Sequence, residues 1–429
     1  MPDEIIVVGG GASGMMAALA AAQALAAARA GGRVTLLEGQ DKCGRKLLLT
    51  GNGRCNISSA DAQITHRYLS ETEGGAVRLA EQVMGQFSPD DTVRFFRDRG
   101  LFIRSEGRGL MYPVTGQARS VLAVLQRSLR ESGVKVKCSE KVTGLSRSPE
   151  GLWNVRTQTW TYTGRAVVLC CGSKAVPSTG SDGSGYALAR QAALPLTAVR
   201  PALTALRSDA GRLKGADGTR VRGRITLMIG GVEAAQEEGE VQFSGACVSG
   251  IAAFQLSRLA VRALENGADV SVSIDLYPEM PEGELAAYLH ALAISTGVRA
   301  GELLTGLIPD RLIRCVLEAA GLKMEADMAD EAGAAAAQLA GAVKRLLLPV
   351  RGVRDFENCQ VCAGGIALGA VDPESLAMTG HGHEGLFAAG ELLDIDGPCG
   401  GYNLQWAWSS GYVAGRSAAA YVTDAAGAV

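Results

Sequence analysis

The first forty residues set short apolar runs between stretches of very small residues, in a telling order. "EIIVV" (4–8) is continuous and β-branched, the pattern of a strand buried on both faces. "GGGASG" (9–14) follows at once, then the alanine-rich "MMAALAAAQALAAA" (15–28), a glycine pair at 31–32, and a second apolar run ending in "VTLLE" (34–38). Strand, glycine turn, helix and strand in this order predict a βαβ unit. Farther on, "VKVKCSEKVTGL" (134–145) alternates like a β-ribbon. "AVVLCCG" (166–172) and "EGLFAAGE" (384–391) each run an apolar strand into a glycine, and the first leads through a Gly/Ser/Asp loop into a helix from about Gly185.

Between these parts the period changes. Residues 200–274 hold β-like runs ("RITLMIGG", "GEVQFSG", "ADVSVSIDL"), whereas 282–347 are helical in pattern ("EGELAAYLHALAIS", "PDRLIRCVLEAAG" and an alanine-rich stretch). The whole predicts an α/β fold. One Rossmann-like domain is built discontinuously from 1–194 and 355–429. An insert over 195–354 interrupts it, β-rich at 195–278 and about 345–354 and helical at 279–344.

Composition narrows the partners. The 429 residues carry 42 basic and 44 acidic side chains, a net charge of −2, with 47% apolar residues. A near-balanced surface offers no field for nucleic acid or an anionic membrane, so a small-molecule substrate is expected. The 15–28 run is shorter than the roughly twenty residues a membrane span needs, and it is expected to be a helix packed on a sheet. The ten cysteines form no regular framework, and "MPDEIIVVGG" opens with acid where a signal peptide carries positive charge. Reduced thiols in a cytoplasm are expected. "CQVC" (359–362) has redox spacing but sits in a strand-like run without a second CxxC, which favours small buried side chains. The four histidines (66, 290, 381, 383) form no ligand set, so no metal is expected.

The glycine loop carries the chemistry. Gly9-x-Gly11-x-x-Gly14 lies between a strand and a helix, and Glu38 ends the next strand, 24 positions past Gly14. That spacing is the dinucleotide fingerprint. Gly9 allows the tight turn, Gly11 the approach of a pyrophosphate, and Gly14 close helix–strand packing, while the helix N-terminus attracts the phosphates. Glu38 is placed to accept hydrogen bonds from the adenosine ribose. A second glycine-punctuated loop, "CGRKLLLTGNGRCNIS" (43–58), follows directly and points to FAD rather than NAD as the bound dinucleotide. The extended cofactor carries its flavin far from the adenosine, and Thr50–Asn56 offer backbone donors, side-chain amides and one cation.

Together with "AGELLDIDGPCGGYNLQWAWSSGYVAG" (389–415), these motifs resemble the BaiN-like (YhiN-like) family of FAD-dependent oxidoreductases in the glutathione-reductase superfamily. The resemblance spans essentially the whole chain. It implies an FAD-binding domain of the glutathione-reductase type with a β-barrel-like plus helical insert, and it places Gly400–Gln405 at a helix start aimed at the flavin pyrimidine edge. There the helix dipole would favour the anion formed on reduction. Cys362 departs from the small hydroxyl residue expected before Ala363-Gly364-Gly365. The residues expected at the cofactor are Gly9, Gly11, Ala12, Ser13, Gly14 and Glu38; Gly44, Arg45, Lys46, Thr50, Gly51, Asn52, Gly53, Arg54, Cys55 and Asn56; Val142, Cys171 and Gly172; and Gly390, Glu391, Gly400, Gly401, Tyr402, Asn403 and Leu404.

The expected reaction is hydride transfer from the flavin to an activated C=C bond of a small enone, as in the bile-acid ene reductases the resemblance implies, with NAD(P)H as donor. No second GxGxxG unit, set between a strand and a helix, is present to hold that donor. An amine or aminoketone oxidase using O2 is the alternative, and an RNA-acting flavoprotein a further one. Tyr112 and Tyr402 are the candidate proton donors, and no sequence pattern chooses between them.

Overall fold

The computed structural model describes residues 5–72, 74–326, 328 and 332–427, and the chain divides into two compact units, 1–200 with 361–429, and 201–360. The first unit is built on five parallel strands: β1 Ile5–Val8, β2 Val34–Leu37, β3 Lys135–Lys137, β4 Ala166–Leu169 and β5 Leu386–Ala388. Glu4, at the head of the first apolar run, lies outside the described residues. Spatially the order is β5-β4-β1-β2-β3. The chain therefore leaves β1 on one side, runs out to β3, and returns to the other side at β4. This is the topological switch that places ligands beyond the carboxyl ends of the strands. β1 and β4 are almost wholly buried, and each apolar side chain of this size contributes about 1.5–3 kcal/mol.

Two helices explain the alanine-rich run. Ala12–Ala27 is buried all round over Ser13–Ala21, because the helix Tyr402–Gly427 lies against it. A Cβ on Gly411 would stand 2.4 Å from the Ser13 carbonyl oxygen, and one on Gly415 2.2 Å from that of Ala17. The two backbones touch, and only Gly against Ser or Ala permits it. Residues 405–411 are buried on every face, Trp406 and Trp408 included. Among the described residues no helix is long and apolar enough to cross a membrane.

The ribbon at 134–145 divides between two sheets. Lys135–Lys137 joins the parallel sheet as β3, and Val142–Arg147 starts an antiparallel meander with Trp153–Thr157 and Thr161–Gly164. A further small sheet pairs Ser58–Ser59, Leu110–Pro113 and Ile103–Glu106.

The second unit has its own core and one seven-stranded antiparallel sheet. Its two outermost strands, Leu346–Pro349 and Gly352–Val353, are separated by only Val350 and Arg351. Val350 bonds to Val270 at one edge and Arg351 to Arg207 at the other, so the sheet curls until its edges meet, as in a barrel. Helices cover it at Glu282–Thr296, Ala300–Leu303, Asp310–Ala320 and Ala332–Lys344. The β-like region 200–274 also contains a helix, Ile251–Glu265, whose buried Ala252, Ala253, Leu256, Ala260 and Ala263 lie at helical spacing.

Candidate functional site

The carboxyl ends of four strands stand in one row, since Leu37, Val8, Leu169 and Ala388 are in register. The residues that follow them form the floor of the site. Gly9 turns sharply at φ +106°, and a Cβ there would lie 2.3 Å from the Cys170 carbonyl oxygen. Gly14 is tighter still, 1.8 Å from the Gly9 carbonyl oxygen. Gly11 differs from both: a Cβ would meet no heavy atom within 4 Å. Space is thus open over Gly11 and over the helix N-terminus that begins with Ala12.

Glu38 sits beside this turn. Its carboxylate accepts from the Gly10 N–H and the Gln40 N–H, both at 2.7 Å. Burial pushes its pKa above the usual carboxylate range, against those hydrogen bonds and nearby Arg45. Gly10, like Gly9 before it and unlike Gly11 after it, is crowded: a Cβ would stand 2.5 Å from the Cys43 sulfur. The Gly44 N–H bonds to the Gly10 carbonyl oxygen at 2.9 Å and docks the second glycine loop onto the first. Arg45 donates to the Gln40 side chain. The backbone N–H of Glu140 bonds to the Glu38 carbonyl oxygen, and Val142, two residues on, buries its side chain in the core of the unit.

Across the row, Cys171 and Gly172 follow β4. Burial, with Glu38 and Asp182 nearby, pushes the Cys171 thiol up to about 12, so it stays protonated near neutral pH. Gly172 is left-handed at φ +69°. Gly390 follows β5 and is wedged in place: its N–H bonds to Ser410 Oγ at 3.0 Å, its carbonyl oxygen accepts from Trp406 Nε1 at 3.1 Å, and a Cβ would lie 2.5 Å from Ser13 Oγ. Glu391, next in line, accepts from Lys46 Nζ at 2.7 Å and from Ser173 Oγ at 2.9 Å.

The loop after Lys46 is a run of left-handed residues, Gly51 (φ +56°), Asn52 (φ +55°) and Gly53 (φ +83°), with Thr50 Oγ1 bonded back to the Leu47 carbonyl oxygen. Arg54 is fixed by Glu106 at 2.6 Å and lies over the Tyr112 ring, 4.0 Å from its centroid. Arg54 in turn holds the Glu106 pKa below the usual range. Cys55 is buried, its thiol pushed up to about 12. Asn56 Oδ1 accepts from the Met111 N–H at 3.0 Å.

This loop meets the start of the C-terminal helix. Gly400 and Gly401 have φ of +130° and +94°, and a Cβ on Gly401 would stand 2.3 Å from the Ser58 carbonyl oxygen. The protein's own backbone therefore requires glycine at 401. The Asn403 side chain is spent on the loop before it, accepting from the Gly397 N–H at 2.9 Å and donating to the Gly397 carbonyl oxygen at 2.7 Å. Leu404 packs at the edge of the core. Tyr402 donates to Asp61 Oδ2 at 2.9 Å, and its pKa is raised by burial.

The structure thus brings the two glycine loops, the strand ends and the helix start together within one unit, and Val142 opens the meander with its side chain in the core of that same unit. Sequence reasoning passed over Gly10 and Ser173. Gly10 stands inside the fingerprint itself. Ser173 carries no local signal, because its partner Glu391 is distant in the chain. The letters of the fingerprint recur at Gly380–Gly385, but there they precede a strand and form a turn in which the His383 ring nitrogens face the Thr379 and Ala192 carbonyl oxygens.

Residues 3–417 match the family described as the HI0933-like protein Rossmann domain. A 3-dehydro-bile acid Δ(4,6)-reductase of Clostridium scindens is 38% identical over 401 residues, covering 92% of this chain and 95% of that protein. A protein of Haemophilus influenzae named ribosomal RNA dihydrouridine synthase is 24% identical, covering 92% and 94%. Among solved structures, the 3-ketosteroid-Δ4-(5α)-dehydrogenase of Rhodococcus jostii in complex with 4-androstene-3,17-dione shares the fold at a TM-score of 0.51 and 18% identity, over 97% of this chain and 96% of that one.

Proposed function

The chain belongs to the HI0933-like Rossmann-domain family, and from that premise we propose that it is an FAD-dependent oxidoreductase that saturates a C=C bond conjugated to a carbonyl in a small, steroid-like substrate. The identity of 38% to the bile-acid reductase, over nearly the full length of both chains, carries the reading. The residues fit the cofactor. The open space over Gly11 is a cradle that a single Cβ would fill, and the helix N-terminus beneath it suits a diphosphate. Glu38 is held by backbone N–H groups with room for sugar hydroxyls among its acceptor sites.

Bound FAD would supply the hydride carrier. The protein's share is placement and electrostatics. In this reading Gly9–Gly14 and Glu38 hold the adenosine half, Gly44–Lys46, Cys171, Gly172, Gly390 and Glu391 the middle, and Thr50–Asn56 with Gly400–Leu404 the flavin end. The N-terminus of the helix Tyr402–Gly427 favours negative charge at the group it faces. NAD(P)H is the proposed electron donor, sharing the substrate's access route.

The ribosomal RNA name of the weaker relatives gives a second reading with similar bond chemistry, since a uracil C5=C6 bond is also conjugated to a carbonyl. The charges favour the small molecule. The basic strand residues Arg220, Arg222 and Arg224 face Glu240 and Glu238 at 3.5 Å, which offsets the attraction of that stripe for phosphate. The test is anaerobic reduction with NADH or NADPH, followed by anaerobic mixing with a 3-oxo-Δ4,6 steroid acid or unmodified ribosomal RNA, and separately the mixing of the oxidised enzyme with an aminoketone under air. Rapid flavin reoxidation by the steroid alone is expected. Turnover of RNA, or oxidation of the aminoketone with O2 as acceptor, overturns the proposal.

A further inference from the structure

Saturating a C=C bond takes a hydride and a proton, and the sequence leaves two tyrosines as the source of the proton. Their surroundings separate them. Tyr402 has its proton committed, because its hydroxyl donates to Asp61 Oδ2 at 2.9 Å. Asp61 accepts as well from the Gln63 N–H and from Arg67 Nε, both at 2.9 Å, and these bonds hold its pKa below the usual carboxylate range. An acceptor that stays ionised keeps the phenol proton directed at itself.

Tyr112 is placed differently. Only 9% of the residue is exposed, yet its hydroxyl is neither buried nor bonded to any described residue. The strand Leu110–Pro113 says where it stands. Alternate side chains of a strand share a face, so Leu110 and Tyr112 point the same way. A Cβ on Gly400 would lie 3.6 Å from Leu110 Cδ2, and one on Gly51 3.4 Å from Tyr112 Cε1. That face therefore touches both the start of the C-terminal helix and the second glycine loop, the two segments assigned above to the flavin end. Backbone bonds pin the strand there: the Ile57 N–H donates to the Met111 carbonyl oxygen at 2.7 Å, and the Met111 N–H to Asn56 Oδ1 at 3.0 Å.

A phenol acts as an acid only if the phenolate it leaves is supported. Arg54 lies over the Tyr112 ring, 4.0 Å from its centroid, and is fixed there by Glu106 at 2.6 Å. Glu106 is shared with Arg104 at 3.4 Å. Two cations thus face one carboxylate, and positive charge remains at the ring. Burial raises the Tyr112 pKa above its ordinary value, Arg54 opposes the rise, and Glu106 and Cys55 add to it. The hydroxyl is therefore protonated at neutral pH and gives up its proton only to a stronger base.

We infer that Tyr112 is the catalytic acid of the proposed C=C reduction and that Arg54 stabilises its phenolate. The inference rests on the reductase reading above. The hydride bonds to the carbon β to the carbonyl. The π electrons of the C=C bond take the Tyr112 proton at the α-carbon, and the O–H electron pair stays on the phenolate, which recovers a proton from water.

The test starts from holoenzyme reduced anaerobically with dithionite and mixed with a 3-oxo-Δ4,6 steroid acid. Tyr112→Phe removes only an unbonded hydroxyl, so it should fold and hold FAD as wild type does. Its flavin should be reoxidised at least about a hundredfold more slowly, the lower end for a general acid. A rate within a few fold of wild type overturns the inference. So does loss of FAD from the variant, which would make Tyr112 a packing residue. A second readout needs no turnover. In apoprotein carrying 13C-labelled tyrosine, the ring signal that Tyr112→Phe deletes reports the ionisation of Tyr112. Its midpoint should lie above the ordinary 10 and rise by about half a pH unit in Arg54→Met, the worth of a cation over an exposed aromatic face. An unmoved midpoint overturns the role given to Arg54. Reduced wild-type enzyme that the steroid does not reoxidise overturns the reductase reading itself, and the inference falls with it.

Discussion

The hydroxyl of Ser58 donates to the side-chain oxygen of Gln405 at 2.6 Å, with both residues buried and 347 positions apart. The Gln405 amide donates in turn to Thr92 Oγ1 at 2.9 Å and to Ser409 Oγ at 2.8 Å, and Ser409 Oγ donates to the Phe87 carbonyl oxygen at 2.7 Å. This satisfied network welds the second glycine loop to the start of the C-terminal helix. Gln405→Leu leaves the Ser58 hydroxyl unpaired in the core, at about 1–3 kcal/mol. The urea midpoint of the first unit should fall accordingly. Tryptophan fluorescence measures it cleanly, because all four tryptophans (153, 160, 406, 408) lie in that unit.

Gly11 and Gly14 should respond in opposite ways to the same methyl group. Gly11→Ala adds a Cβ where no protein atom lies within 4 Å, at an ordinary φ of −79°. The apoprotein should keep its thermal midpoint while FAD affinity drops at least tenfold. Gly14→Ala places a Cβ 1.8 Å from the Gly9 carbonyl oxygen, and overpacking on that scale costs about 1–3 kcal/mol or more. Its apoprotein should melt early, before cofactor is considered. Equal FAD affinity in Gly11→Ala and wild type would take the diphosphate away from this loop.

With Glu38 at the ribose, as proposed, FAD binding should be sensitive to acid. Burial raises its folded pKa above the ordinary 4.5. A raised carboxylate pKa means the folded protein prefers the proton, so any stability linked to Glu38 is present below its unfolded pKa and lost as the pH rises through the folded one. Binding runs the other way, because sugar hydroxyls donate to the ionised form. FAD affinity should therefore begin to fall on acidification at a pH above 4.5, and Glu38→Gln should flatten that limb while lowering affinity at neutral pH. Titrations of flavin fluorescence across the acid range check both. Cys43, buried beside Glu38 with its thiol pKa pushed up, stays neutral throughout and does not contribute.

The βαβ unit was legible almost to the residue, because β1 and β2 are buried on both faces and their apolar runs have no second interpretation. Legibility failed where partners were distant. Lys135–Lys137 and Val142–Arg147 read as one ribbon, yet β3 pairs with β2, a choice made by the sheet and not by the alternation. The helix Ile251–Glu265 was hidden among β-like neighbours, although its buried positions keep helical spacing. Asn403 was recognisable as part of a specific motif, but the bonds of its side chain to Gly397 and Pro398 depend on how the loop before it folds back. Ser173 had no signal at all, since the Glu391 carboxylate it donates to lies 218 positions away in the chain.

Gly401 carries the final prediction, and the structure changes what its substitution should do. A helix start that needs glycine only to admit a flavin would accept a side chain in the apoprotein. Here a Cβ would lie 2.3 Å from the Ser58 carbonyl oxygen, 2.6 Å from its carbon and 3.0 Å from Asn56 Oδ1, at a φ of +94° that side chains rarely adopt. Gly401→Ala must therefore push the Ser58–Ser59 strand away or unwind the helix start. Strain of this kind costs about 1–3 kcal/mol, and the shift also stretches the Ser58–Gln405 hydrogen bond. The apoprotein should lose stability by that amount, and Gly401→Val by more. FAD affinity should fall as a consequence, since the second glycine loop moves with Ser58. Chemical denaturation of the two apoproteins decides the matter: wild-type midpoints would mean that the segment yields freely and that glycine is kept at 401 for the cofactor alone.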